Sequence, residues 1–349
     1  MIQRKLSKVM LVCSILFSLV SMSVMLYFSA TKTIVIAEEV SDRTESERLS
    51  GRAREDVLQF EAGSGGKGLR IPLPPELRAD DIVIENRYIE HCIYIILKGK
   101  YREFYRSNVL TGEDPRIEGG YLSQEDGMTR LQLMLGGPYE HQYMFENGVL
   151  QLSFHEPWQL YDKIVVIDAA HGGSDEGATG NGILEKEIVL AIAEKVREKL
   201  EDSEIRVYCT RTDDTALTEE ERAEFVHELR ADMLISIRAA ADESSDGVYG
   251  IRTVYNGTYF IPYFGNVELA DLLERHVVSI AGSRANGLME TNPEDRLLWN
   301  VQVPAAAIEV GYVTNKEEAS FLSAEEYQEK LADGIINALV EAYERKEQN

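Results

Sequence analysis

Cysteine is scarce. The chain has three in 349 residues, and no two of them form a CxxC. That excludes a cysteine zinc site or a redox pair of that spacing. Cys13 lies in an apolar run, while Cys92 and Cys209 sit in strand-like stretches and are expected as buried free thiols. Basic charge is also in short supply: Lys and Arg number 36 against 60 Asp and Glu, a formal net charge of −24. Nucleic-acid binding needs a basic surface to displace counter-ions, so that function class is excluded. No repeat of solenoid period is present. What the chain does have is apolar content, 44% of residues, enough for a packed core over about two domains plus extras.

The N-terminus carries the strongest local signal. Arg4, Lys5 and Lys8 precede an uncharged stretch, VMLVCSILFSLVSMSVMLYFSA, from Val9 to Ala30. As a helix it would reach ~33 Å, enough to cross a bilayer core. Its basic flank would keep the N-terminus in the cytoplasm. Residues 1–37 are therefore expected to be a membrane anchor, with a cleaved signal sequence as the rival. The expected location is the cell membrane, single-pass, with the C-terminal bulk outside the cytoplasm, or secreted if the segment is cleaved.

Residues 38–68 are polar and charge-mixed and read as a linker. Residues 69–157 read as a small all-β domain. TRLQLMLGG alternates, with Leu131, Leu133 and Leu135 on one face, and Leu150, Leu152 and Phe154 do the same. Asn147-Gly148 between strand-like runs predicts a type I′ hairpin. From 161 to 349 strands alternate with helices: KIVVID, a helix carrying Ile188, Ile192 and Val196 on one side, IRVYCT, MLISI, YGIRTVY, a helix over NVELADLLERHVVSIAG, AAAIEVGY and a long closing helix. Thr218 with Glu221, and Ser323 with Glu326, have capping-box spacing. The pattern predicts an α/β fold with an open, mostly parallel sheet covered by helices on both faces.

Ligands and catalytic groups in such sheets gather past the carboxyl ends of the strands. There the sequence places Asp168 and His171-Gly172-Gly173, then Glu185 at a helix start, Ser236 and Arg238, and Glu309 inside an apolar run. A lone His before two glycines or a Glu at a helix N-terminus has an ordinary structural explanation. Glu309 is harder to explain that way, because a buried carboxylate without a partner is costly. One histidine and two carboxylates at strand ends suggest a metal-hydrolase site with a general base.

The segment VVIDAAHGGSDEGATGNGILEKEIVLAIAEKV resembles the opening of the zinc-dependent N-acetylmuramoyl-L-alanine amidases (amidase type 3), which cut cell-wall peptidoglycan. CTRTDD, TEEERAEFVHELRADMLISI and PAAAIEVGYVTNKEEASFL fall in order where that family has its TR-x-x-D, R-x-x-x-A-N-x-x-x-A-D-x-x-x-S-I-H and P-a-v-x-x-E-x-G-F-x-x-N segments. The resemblance runs from Lys163 to the C-terminus. The β region is similar, more weakly, to the AMIN-type modules that localise some of these amidases at the wall. The resemblance implies zinc as cofactor, peptidoglycan as substrate, cell-division or wall-remodelling proteins as partners, and hydrolysis of the amide between N-acetylmuramic acid and L-alanine. It implies His171, Glu185 and a second histidine as zinc ligands, with Glu309 as the catalytic base.

The second histidine is missing. The family's S-I-H-x-N stands here as Ser236-Ile237-Arg238-Ala239-Ala240, and D-P-G-H-G-G as Asp168-Ala169-Ala170-His171-Gly172-Gly173. His227 falls at the family's Asn position and His276 on a helix surface, so neither is a substitute. A guanidinium has no usable lone pair and cannot ligate zinc. Arg238 is expected to fill the metal position and pair with Glu185, Glu309 or both; alternatively it turns to solvent and a weak metal site survives. Two functions follow: a metal-free relative that binds the wall or regulates a partner, or an active zinc amidase with a remodelled third ligand.

Overall fold

Period-two alternation builds the first layers. The computed structural model describes residues 56–62 and 68–348. Within them Ile82–Arg87, Cys92–Lys98, Met128–Leu135 and Ile117–Glu125 are successive antiparallel neighbours in one sheet. A second sheet runs in the order Phe60–Glu61, Leu110–Thr111, Leu69–Pro72, Val149–His155, Glu140–Glu146. The Phe60–Glu61 strand lies in what the sequence alone presents as linker. Ile93, Ile95, Leu131 and Leu133 from one sheet meet Ile71, Leu150, Leu152 and Phe154 from the other in a single core. Asn147 and Gly148 both take positive φ, 51° and 74°, as a type I′ turn requires.

Continuous apolar runs build the rest. The sheet order is Arg206–Cys209, Ile164–Ala169, Met233–Ala240, Ala305–Tyr312, Ile251–Tyr255, Ala285–Glu290. The first four strands are parallel, but Ile251–Tyr255 runs antiparallel to Ala305–Tyr312 and pairs in parallel with the edge strand Ala285–Glu290. The sheet is therefore mixed at one side. Both faces are covered. Val165, Ile167, Met233, Ile235 and Ile237 pack under the helices Glu185–Lys199, Asn266–Ala281 and Glu325–Glu347. Val166, Leu234, Val254 and Ala307 pack under Glu219–Glu228 and Arg296–Asn300. A strand buried on both sides needs no alternation, which is why MLISI reads as one apolar run.

Two expectations need correcting. Thr218 does form its capping box with Glu221, but Ser323 does not cap the last helix. Its hydroxyl donates to the Ala319 carbonyl at 2.8 Å, closing the preceding helix, and Ala324 takes the N-cap position. The transmembrane helix, the membrane as a partner through residues 9–30 and the single-pass cell-membrane location are also not supported: among the described residues no helix is long and apolar enough to cross a membrane. The apolar run Val9–Ala30 that prompted them lies outside the described residues.

From Leu58 onward the chain is one unit, and the β layers dock on the mixed sheet through charged groups. Glu140, 5% exposed, accepts from Tyr208 Oη at 2.6 Å, Tyr88 Oη at 3.0 Å and Arg206 Nε at 2.9 Å. Cys92 and Cys209 are free thiols.

Candidate functional site

The loop after the Ile164–Ala169 strand is fixed by cations. Arg211 donates to the carbonyls of Ala169, Ala170 and Lys186. Arg222 donates to those of Ala169 and His171, and Lys186 to that of Gly173. These bonds hold a sharp reversal in which His171 itself has φ 59°, a left-handed conformation uncommon for a residue with a Cβ. Gly177 closes over the same spot. A Cβ there would stand 2.6 Å from both Glu185 Oε2 and His171 Cδ2, so the backbone reaches these two side chains only because the position is glycine.

His171 and Glu185 are brought together. The Nε2 of His171 lies 3.2 Å from Glu185 Oε2, and its Nδ1 lies 2.8 Å from Asp175 Oδ2. The contact with Glu185, reinforced by Asp175, raises the His171 pKa and favours the imidazolium. Glu185 is buried and well satisfied. It accepts from Ala178 N at 2.7 Å and from Ala239 N at 2.6 Å.

Arg238 does not go where the sequence suggested. It pairs with neither Glu185 nor Glu309, nor does it turn to open solvent. Its Nη1 and Nη2 reach the two oxygens of Asp295 at 2.7 and 3.2 Å, and its Nε donates to Ser236 Oγ at 3.2 Å. The strand face decides this. Ser236 and Arg238 share the face of the Met233–Ala240 strand that packs under Arg296–Asn300, the helix capped by Asp295. Glu185 begins a helix on the opposite face, and its carboxylate reaches over the strand end, where Ala239 N next to Arg238 donates to it. Burial opposes the Arg238 charge, but the fork on Asp295 more than offsets it.

Glu309 is directly opposite Arg238 in the sheet but bonds to Arg252, which lies on its other side. Arg252 Nε and Nη2 reach Glu309 Oε2 at 2.9 and 2.6 Å. Burial pushes the Glu309 carboxyl above the usual range, and Arg252 and Arg238 oppose the shift. Asp168, one turn of the pleat below, is 1% exposed and accepts from Thr210 Oγ1 at 2.8 Å, Ser236 Oγ at 2.6 Å and Arg222 Nη1. Burial works against its ionisation, but Arg222 and the two hydroxyls outweigh it and hold the carboxyl below its usual range.

Asp295 and Arg252 were not identified from the sequence. Asp295 has a local signal, an Asp two residues before an apolar pair, and its side chain caps Leu298 N. Arg252 has none beyond being a charge inside a strand. His227 is exposed on its helix and His276 bonds Glu341, so neither is near the site. A cleft of about 590 Å³ opens between the β layers and the mixed sheet, lined by Arg87, Tyr88, Arg206, Arg211 and Asp213 among others. His171, Glu185 and Glu309 do not line it, so the candidate chemistry lies elsewhere.

Zinc in a hydrolytic site takes three protein ligands and leaves one position for water. His171 and Glu185 supply two donors at a mutual spacing that a shared metal would also allow. Where the resemblance puts the third, the side chain is a guanidinium committed to Asp295. Among the described residues no group of three or more His, Cys, Asp or Glu side chains is placed to hold a metal ion. The donor set does not fit zinc.

The chain matches the family described as N-acetylmuramoyl-L-alanine amidase (Amidase_3) over residues 165–341. It is 35% identical over 183 residues to the uncharacterized protein YqiI of Bacillus subtilis (strain 168), covering 52% of this chain and 86% of that protein. It is 30% identical over 222 residues to the germination-specific N-acetylmuramoyl-L-alanine amidase of the same organism, covering 58% of this chain and 89% of that one. Among solved structures it is similar to an N-acetylmuramoyl-L-alanine amidase from Clostridium difficile 630, with 32% identity, 52% of this chain and 97% of the other covered, and a TM-score of 0.49. With the family match spanning just over half of the sequence and both B. subtilis relatives covered over most of their length, the chain belongs to the N-acetylmuramoyl-L-alanine amidase family.

Proposed function

We propose that this chain is a peptidoglycan-directed member of its family that has given up zinc-dependent hydrolysis and acts as a wall-binding or regulatory relative. In this reading His171 and Glu185 are the remnant of the metal site, Arg238 stands at the third ligand position, and Glu309 stands where the family keeps its catalytic base. The small β domain, residues 69–157, would contribute to wall targeting as an AMIN-like module. Peptidoglycan is the partner class, with wall-remodelling or cell-division proteins as further partners.

The observation that carries this is the bidentate pair between Arg238 and Asp295. A guanidinium held in that fork cannot give way to a donor, and it keeps a positive charge beside the place a dication would need. The second reading, an active zinc amidase with a remodelled third ligand, is favoured by one observation, the 3.2 Å approach of His171 to Glu185. It lacks a third donor among the described residues.

Metal content and turnover decide between them. The full chain is purified, dialysed against zinc and then against buffer, and its zinc is counted by mass spectrometry. Release of peptide from purified peptidoglycan is followed in parallel. The expected result is well under one zinc per chain, retention on insoluble wall material, and no release above the blank. One tightly held zinc per chain together with steady release would refute the metal-free reading.

A further inference from the structure

Three residues on three adjacent strands form one row. Arg238 is the register partner of Glu309 across a parallel pair, and Arg252 is its partner across an antiparallel pair. Directly opposed residues project from the same face of a sheet, with their Cβ atoms about 4.5–5.5 Å apart across an antiparallel pair. Ala307 and Val254, two residues along their strands from Glu309 and Arg252, pack into the core on this face. The charges therefore run plus, minus, plus across the sheet, just above the buried Asp168–Ser236 pair. The outer two are settled differently. Arg238 bonds Asp295 across the sheet surface, whereas Arg252 places two nitrogens on one oxygen of Glu309.

This row accounts for a feature that the loss of one ligand leaves unexplained. If Arg238 alone had ended metal binding, Glu309 would remain as a half-buried acid with no structural reason to be there. A carboxylate in that setting is costly unless a cation pairs with it. Arg252 is that cation. Together Arg238 and Arg252 bring two fixed positive charges to the strand ends, where Asp295 and Glu309 neutralise them. With Arg238 committed to Asp295 and Arg252 to Glu309, neither carboxylate is left unpaired to draw a dication toward His171 and Glu185.

We infer that Arg252 is, after Arg238, a second residue that closes this site to a dication, and that Glu309 is retained as the counter-ion of Arg252. The inference rests on the metal-free reading above and adds a specific claim to it: restoring the histidine is not sufficient to restore the metal.

The test is a set of full-length variants whose zinc dissociation constants are read by competition with a chromophoric chelator. Arg238→His returns a donor. Arg252→Gln removes the charge but keeps an N–H for Glu309. Arg252→Lys keeps the charge. Arg238→His/Arg252→Gln is expected to bind zinc at least tenfold more tightly than Arg238→His alone, and Arg238→His/Arg252→Lys to bind like Arg238→His. Equal affinity in Arg238→His with and without Arg252→Gln would overturn the inference, whatever the absolute values. If Arg252→Gln does not fold, the pair Arg252→Gln/Glu309→Gln decides. Recovery of a folded, cooperatively melting protein supports the counter-ion role, and continued failure to fold contradicts it. The unmutated chain separates the two claims, because stoichiometric zinc there defeats the metal-free reading itself, whereas the ratio between variants bears only on Arg252.

Discussion

At the scale of the residue, what matters is which charges have partners. Asp168 illustrates it best. It is buried at the end of a central strand with Arg222, Ser236 and Thr210 all donating to it. Its folded-state pKa lies below that of the unfolded chain. A depressed carboxyl contributes stability that is fully present above its unfolded pKa and is lost as pH falls through the folded value. The chain is therefore expected to lose stability progressively below about pH 4 in part through this residue, the ordinary Asp range being about 3.9. Asp168→Asn strands a buried guanidinium and should cost about 3–5 kcal/mol at neutral pH. Its melting temperature should also fall less steeply than that of the unmutated chain between about pH 5 and pH 2, through the unfolded-state pKa of Asp. Parallel acid slopes for the two proteins would show that Asp168 is not the group responsible.

At the scale of the element, strands and helices explain both what the sequence revealed and what it hid. The capped helix Glu219–Glu228 was legible because its signal is local. Thr218 and Glu221 sit three apart and satisfy each other's backbone donors. Thr218→Ala should cost about 1 kcal/mol in a urea titration with an unchanged slope; no loss would mean the cap is replaced by water. The Ser323 signal has the same spacing and misled, because Ser323 ends the preceding helix with helical backbone (φ −78°, ψ −14°), whereas an N-cap needs extended backbone. Strand ends were equally legible. His171 and Arg238 follow from where apolar runs stop, Glu185 from a helix start and Glu309 from its place inside an apolar run. Their pairing was not legible. Arg238 was expected against Glu185 or Glu309, yet strand register sends it to the face of Asp295, 57 residues away in sequence. Alternation gives a side chain's face only relative to its own neighbours on the strand. Which helix covers that face, and that Ile251–Tyr255 would run antiparallel beside Glu309, are properties of the assembled sheet.

At the scale of the whole molecule, the family match covers residues 165–341, while the β layers before it are held to that region by a junction of their own. Glu140 lies at its centre, accepting from Tyr88 on one side and from Arg206 and Tyr208 on the other. The Tyr88 and Tyr208 rings meet edge to face at 4.9 Å. Arg206 lies over the rings of Tyr208 and Tyr161. Arg87 to Asp213 and His91 to Glu228 add weaker, half-exposed pairs. Such a junction makes unfolding cooperative across both layers, since neither can leave without exposing an unpaired buried charge. The unmutated chain is expected to unfold in a single transition by calorimetry. Glu140→Ala leaves Arg206 without its carboxylate and both tyrosine hydroxyls without an acceptor. That variant should show two separated transitions, the earlier one accompanied by hydrogen exchange confined to one of the layers. The Arg238–Asp295 pair joins a strand of the mixed sheet to the cap of a helix packed on it, so its exchange protection should follow the transition of the layer that contains it. A Glu140→Ala variant that still melts as one unit, at nearly the original temperature, would show that the layers are coupled through their apolar contacts and not through this carboxylate.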